Sequence, residues 1–341
     1  MEPQVELHLP FWASHHNMLL YSWYFYCEKY NIPFKIRQNL SLNSKGALMV
    51  INKKALFFDY SDDILFSDEP SRYDIYFKRS LLQSDKSGNI YPLNFQVNYS
   101  YKALKMLSSL DLKLLTDRRS RSEVARAVDH FSFFTNNPHA PADFRNVPSH
   151  QRDNGGRVIF YARLWNPANH TDPAEKERRQ LQNEFRIAAC RTIKNNVSNS
   201  SAGLFQDDLA VRLAPDMILS NTETSKKSYL SLLNECDICI ADDGLKDTPG
   251  WKIGEYLMYG KAVITTPINI LVEDFTEHHN YFGLSGRTAY QELPEKIESM
   301  RENQRYLQMG INNKSWSRKY LEAEGYINRL FTIADINLLP N

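Results

Sequence analysis

Short apolar runs alternate with amphipathic stretches along most of the chain. Residues 5–10 read as a strand and residues 15–30 as a helix rich in aromatics. A turn at Asn31-Ile32-Pro33 leads to a second strand over 34–38, which completes one βαβ-like unit. The apolar runs 47–51, 55–60 and 73–77, bounded by charged and turn residues, suit successive strands of one sheet. From 120 to 152 the apolar period fades while Pro, Asn, His and Arg accumulate, which predicts a connection between domains. A second α/β pattern then begins, with strands expected at 157–161, 202–205, 213–219, 238–241 and 262–265. Helices are expected at 172–192, where the stretch is long and highly charged, at 225–234 and at 250–259. Residues 293–330 read as amphipathic helices. Strands alternating with helices imply a parallel sheet covered on both faces.

The length, 341 residues, sharpens this into two domains, because single cores seldom grow past about 250 to 300 residues. We expect domains at 1–150 and 151–320, with a C-terminal helix and tail over 321–341. With 41 basic against 40 acidic side chains, no net field draws the protein onto nucleic acid or an anionic bilayer. The N-terminus lacks the basic start and apolar core of a signal peptide, and the longest apolar stretch, 18–27, is about half a membrane span. A cytoplasmic protein is expected. Its four cysteines fit a reducing compartment, and Cys236-x-x-Cys239, inside a strand with no second pair, reads as structural rather than metal-binding.

The chemistry concentrates between Gly244 and Ile264. Pro249 and Gly250 precede a helix, so unpaired N–H groups of its first turn face the crevice at the end of the preceding strand. Lys252 adds a positive charge where the helix dipole already favours an anion. Glu255, one turn deeper, can accept two hydrogen bonds from a ribose diol. Arg163 follows the strand at 157–161 and should point into the same crevice. Together these residues predict a diphosphate site.

The segment resembles the donor region of retaining GT-B glycosyltransferases, with an acidic residue, seven others, then Glu, and a Gly-Lys-Ala-Val-Ile turn. Asp247 and Glu255 take the two acidic positions, Gly260-Lys261-Ala262-Val263-Ile264 the turn, and Arg163-Leu164 resembles the Gly-Arg-Leu strand end. Two departures are the Asp at the first acidic position and the Pro-Gly-Trp-Lys start of the helix. The resemblance implies a GT-B fold: two Rossmann-like domains facing a central cleft, with C-terminal helices packing back on the N-terminal domain. It implies a hexosyl- or related transferase that needs no cofactor or metal. Its partners would be a nucleotide-sugar donor and a saccharide or glycolipid acceptor in bacterial surface polysaccharide assembly. Glu255 would hold the ribose, Arg163, Gly250 and Lys252 the diphosphate, and Asp247 would lie by the donor sugar. A GT-B-like epimerase and a non-catalytic nucleotide-binding scaffold are the alternatives.

The N-terminal half offers His15-His16 after its first strand, Asp62-Asp63 after another and Lys78-Arg79 after a third. A base must take the acceptor hydroxyl proton; a His or an Asp could serve, and His16 is the candidate, while His15 and His16 read equally well as the first residues of the helix. Asp62 and Asp63 read more simply as turn caps, and Lys78-Arg79 as a solvated basic pair. The aromatic helix at 18–26 either packs inside its domain or docks peripherally on the inner face of a membrane.

Overall fold

A computed structural model describes residues 5–128, 142–148, 152–244, 246 and 248–338. The chain forms two compact α/β units, Met1–Val147 with Ile270–Glu273 and Arg318–Asn341, and Pro148–Asn269 with Asp274–Ser317. Each carries a six-stranded sheet in the Rossmann manner, the fold class expected from the sequence.

In the first unit β1 (Val5–Leu9) alternates buried and half-buried residues, the mark of a strand packed mainly on one face. α1 (Asn17–Tyr30) lacks an apolar stripe because it is buried almost all round, with Leu19, Trp23, Tyr24 and Tyr26 inside. Asn31, in the left-handed region at φ 54°, ends it. β2 (Lys35–Gln38), β3 (Gly46–Ile51), β4 (Lys54–Asp59), β5 (Ile75–Lys78) and β6 (Ile90–Pro92) complete the sheet in the order β2-β1-β3-β4-β5-β6. β3 runs antiparallel to both neighbours, and Asn52-Lys53, both at positive φ, turn it tightly into β4. The remaining strands are parallel.

Beyond the sheet lie β7 (Tyr99–Ser100), α2 (Ala103–Leu107), α3 (Leu112–Thr116), α4 (Arg121–Val128) and β8 (Ala142–Asp143). α4 corrects the expected connection at 120–152. The helix buries Glu123, which accepts from Asn17 Nδ2 and pairs with Arg126, beside Ala127, so its inward face carries little apolar signal.

The second unit comprises β9 (Val158–Ala162), α5 (Pro173–Asn196), β10 (Ser200–Phe205), α6 (Asp208–Leu213), β11 (Ile218–Leu219), α7 (Lys226–Asn234), β12 (Ile238–Ala241), α8 (Trp251–Met258), β13 (Ala262–Thr265), β14 (Tyr281–Gly283), α9 (Leu293–Arg301) and most of α10 (Arg305–Tyr320). Every pairing in the order β11-β10-β9-β12-β13-β14 is parallel. β9, β12 and β13 are buried at every position, as strands covered on both faces must be. The expected strand at 213–219 is cut to two residues, because Pro215 opens a 3-10 turn and Asp207 caps α6 ahead of it.

α11 (Ala323–Ala334) closes the chain in the first unit, where Phe331 packs on Trp23 and Tyr26 of α1. No described helix is long and apolar enough to cross a membrane.

Candidate functional site

The sheet of the second unit grows outward from β9 in both directions, to β10 and β11 on one side and to β12, β13 and β14 on the other. The order therefore reverses between β9 and β12, and side chains just beyond the ends of those two strands converge on one crevice. Arg163 follows β9, Asp242 and Asp243 follow β12, Thr266 follows β13, and α8 begins beside them.

Gly250 is the N-cap of α8, in extended conformation, with no side chain capping the helix. A Cβ there would stand 3.1 Å from the Asp242 carbonyl, so glycine is what lets the helix start approach the end of β12. Backbone pairing of Asp243 with Pro249 closes the intervening loop. Lys252, partly buried in the first turn, donates from Nζ to the Tyr161 carbonyl of β9. Burial pushes its ammonium down to about 8, against the pull of Asp242. The Arg163 side chain is exposed, its guanidinium 5.2 Å from the centre of the Phe205 ring. Among the described residues neither Arg163 nor Lys252 has a carboxylate within ion-pair distance. Glu255 lies one turn beyond Lys252 and pairs with Lys226 at the start of α7.

The fold thus brings Arg163, Gly250, Lys252 and Glu255 into one unit around one strand-end crevice. Asp247 lies outside the described residues. His16 belongs to the first unit, fully buried in a 3-10 turn over Ser14–His16, and its Nε2 has no hydrogen-bond partner. Burial and the neighbouring His15 hold its pKa well below the ordinary value. His15 is the less buried of the two, and its ring stands 4.1 Å from that of His16.

Other candidates of the first unit are structural. Lys78 is not solvated: it is fully buried against Asp59, 3.5 Å away, because the two residues face each other across β4 and β5. Arg79 and Lys45 share Asp62 at 2.7 and 3.2 Å, and Asp63 caps the turn by accepting from Leu65 N at 3.1 Å. Cys236 and Cys239 are buried and unbridged, and burial pushes the Cys236 thiol up to about 12.

Sequence reasoning missed the contribution of α5. Its inward stripe is apolar at Ile193, Cys190, Ala189 and Phe185, then continues as Arg186, Gln182, Arg178 and Glu175, all buried. Arg186 Nε donates to Asp242 Oδ2 at 2.6 Å and its Nη1 to the Arg163 carbonyl. Arg178 forks onto Glu175 at 2.7 and 2.8 Å and donates to the Gly244 carbonyl at 2.6 Å. Gln182 donates to the Asp243 carbonyl. Arg287, from the loop after β14, reaches Asp243 Oδ2 at 3.1 Å. The arginine hydrogen bond of Glu175 to Arg178 holds its carboxyl down to about 2. Extending the apolar period of 185–193 by about three turns toward the N-terminus would have found these residues.

No protein-family model matches the chain, and no curated protein matches it. Among solved structures it is similar to TarM, with 10% identity over 92% of this chain and a TM-score of 0.42. It is also similar to a glycosyltransferase from Rickettsia africae, with 11% identity over 94% of this chain and 80% of that one, TM-score 0.44. A third is HepE of Anabaena in complex with UDP, with 11% identity over 92% of this chain and 90% of that one, TM-score 0.42. The chain spans 57% of the length of TarM.

Proposed function

We propose that the chain is a glycosyltransferase that takes a sugar from a nucleotide diphosphate donor bound at the β9–β12 crevice and passes it to a saccharide acceptor, free or lipid-linked. Surface polysaccharide assembly is the setting that fits the sequence resemblance. The observation that carries the reading is charge left over at the right place. Arg178, Arg186 and Arg287 of the crevice are each held by a carboxylate, whereas Arg163 and Lys252 flank an uncapped helix start without one among the described residues. Two cations and a helix N-terminus at a topological switch point suit a diphosphate.

In the reaction the bond between the sugar's anomeric carbon and the diphosphate oxygen breaks as the acceptor hydroxyl oxygen bonds to that carbon. Arg163, Lys252 and the α8 dipole offset the negative charge released on the diphosphate, so turnover is expected to survive chelation of divalent metal. A base must take the acceptor proton; His16, fully buried in the first unit, cannot reach it as folded, and Asp247 is assigned to the donor sugar. On donor binding Glu255 exchanges Lys226 for the ribose diol, which leaves Lys226 beside the nucleotide.

Lys252→Ala removes one charge-assisted contact and is expected to weaken nucleotide binding by roughly tenfold to a hundredfold, about 1.5–3 kcal/mol. Glu255→Ala is expected to lose about tenfold. Calorimetric titration with UDP, GDP, ADP, dTDP and CMP measures both. An affinity unchanged in both variants for every nucleotide that binds would sink the assignment.

A further inference from the structure

Among the described residues of the crevice, Asp243 is the carboxylate with a buried oxygen left unpartnered. Its backbone N–H donates to Thr266 Oγ1 at 2.9 Å, and its Oδ2 faces Arg287 Nε at 3.1 Å and Arg178 Nη1 at 3.5 Å. Its Oδ1 is buried without a hydrogen-bond partner, although the side chain is only 5% exposed. Leaving such a group buried and unpaired is costly, so its persistence at a strand end calls for a use. The surrounding charges are Asp242 on its own strand, Glu175, Arg178 and Arg186 on α5, Arg287 after β14, and Lys252 on α8. Asp242 differs from its neighbour in being held at 2.6 Å by Arg186. Asp243 shares Arg178 with Glu175, which takes that guanidinium at two closer contacts.

We propose that binding of the nucleotide sugar is coupled to uptake of one proton by Asp243. The inference rests on the nucleotide-sugar reading of the crevice and goes beyond it. A diphosphate settling on the start of α8 brings two negative charges beside a carboxylate whose backbone pairs with Pro249, next to that helix. A like charge raises a carboxyl's affinity for protons, and of the two adjacent carboxylates Asp243 has the weaker hold on its arginines. The proton comes from solvent and bonds to Oδ1. The orphan oxygen then becomes an O–H donor able to serve a phosphate oxygen or a sugar hydroxyl.

Asp243 is poised for this. Burial, reinforced by Asp242 and opposed by Arg287 and Arg178, lifts it to about 6 in the unliganded protein. Between about pH 6 and 8 the free protein is largely ionised at this position and the complex is protonated, so affinity rises as pH falls. The limit is about tenfold per pH unit, and the slope fades below about pH 6.

The test is calorimetry with UDP-glucose, GDP-mannose, ADP-glucose and dTDP-glucose, whose diphosphates keep their charge across this range, in PIPES and in Tris at about pH 7. For the sugar nucleotide that binds, the enthalpies in the two buffers are expected to differ by the uptake of close to one proton, and Kd to fall severalfold from about pH 8 to 7. In D243N both effects are expected to disappear, with binding at about pH 8 tighter than in the parent protein. Equal enthalpies in the two buffers with a flat Kd overturn the inference, as does proton uptake that persists in D243N. Should D243N fail to fold, the buffer pair on the parent protein at about pH 6.5 to 7 decides, because Lys252, at about 8, is already almost fully charged there and can take up only a small fraction of a proton. Failure of every sugar nucleotide to bind at any pH removes the nucleotide reading and this inference with it. Binding without proton uptake removes the inference alone.

Discussion

Lys252 and Glu255 stand close in sequence, and their spacing made the helix start legible as an anion site. Their partners in the folded chain were not legible, since Tyr161 and Lys226 come from other elements. The same holds for His15 and His16. The sequence places them after a strand; only the fold shows them edge to face with each other and clustered on Tyr60, with Lys45 and Arg79 near His15. Burial, then Lys45 and Arg79, push His15 down to about 4, against about 6.5 in an unfolded chain. As pH falls below about 6.5 the unfolded chain takes a proton that the folded chain refuses until about pH 4. The stability present above the unfolded value is lost across that window, by at most about 3 kcal/mol for this group. His15→Gln, neutral throughout, should remove that part of the acid sensitivity while His16 keeps its own. Urea midpoints at about pH 7 and 4.5 measure it, and a pH dependence as steep in the variant as in the parent would show that other groups are responsible.

At the scale of elements, strands were easier to read than helices. β9, β12 and β13 are uninterrupted apolar runs, and a run of that kind between turn signals has few other readings. α4, and the inward face though not the helix of the first half of α5, hid because they carry Glu123, Arg178, Gln182 and Arg186, whose burial is made tolerable by partners distant in sequence. Glycines mark where elements touch. Gly325 near the start of α11 lies against the Arg318 carbonyl of α10, and a Cβ there would fall well inside van der Waals contact with that backbone oxygen. Backbone cannot swing aside as a side chain can, so Gly325→Ala is expected to cost about 3 kcal/mol or more, a fall in Tm on the order of 10 °C. Gly260 ends α8 at φ 64°, where a Cβ would stand 3.3 Å from Lys314 Cβ and 3.4 Å from the Gly310 carbonyl, tight but not overlapping. Gly260→Ala should therefore cost the left-handed strain, about 1–2 kcal/mol, with a smaller penalty for crowding. Thermal melts of the two variants test the ranking, and a milder effect at Gly325 than at Gly260 would refute it.

Within the molecule as a whole, the two units were legible as a repeated α/β pattern, while the return of the C-terminus to the first unit came only from the family resemblance. Nothing local in residues 318–338 says which unit they join. The contacts do: Glu324 takes Lys29 at 2.6 Å, Arg329 takes Glu273 at 2.6 Å and the Pro92 carbonyl at 2.6 Å, and Phe331 covers Trp23 and Tyr26. The core cluster of the second unit draws its buried residues from Val158 to Met309 and none from this segment. The two units should then respond differently to truncation after Ser317. Stripping α11 from α1 exposes large aromatic faces, each worth a few kcal/mol at about 25 cal/mol per Å2, and leaves the Glu273 carboxylate without Arg329. Against a net stability of about 5–15 kcal/mol, that loss is expected to unfold the first unit. The second should keep its core and, on the function proposed here, its nucleotide affinity. Limited proteolysis of the truncated chain should digest residues before about 148 and spare a fragment that still binds the nucleotide the full chain binds. A truncated chain as resistant at both ends as the parent would show that the first unit holds without its returning helix.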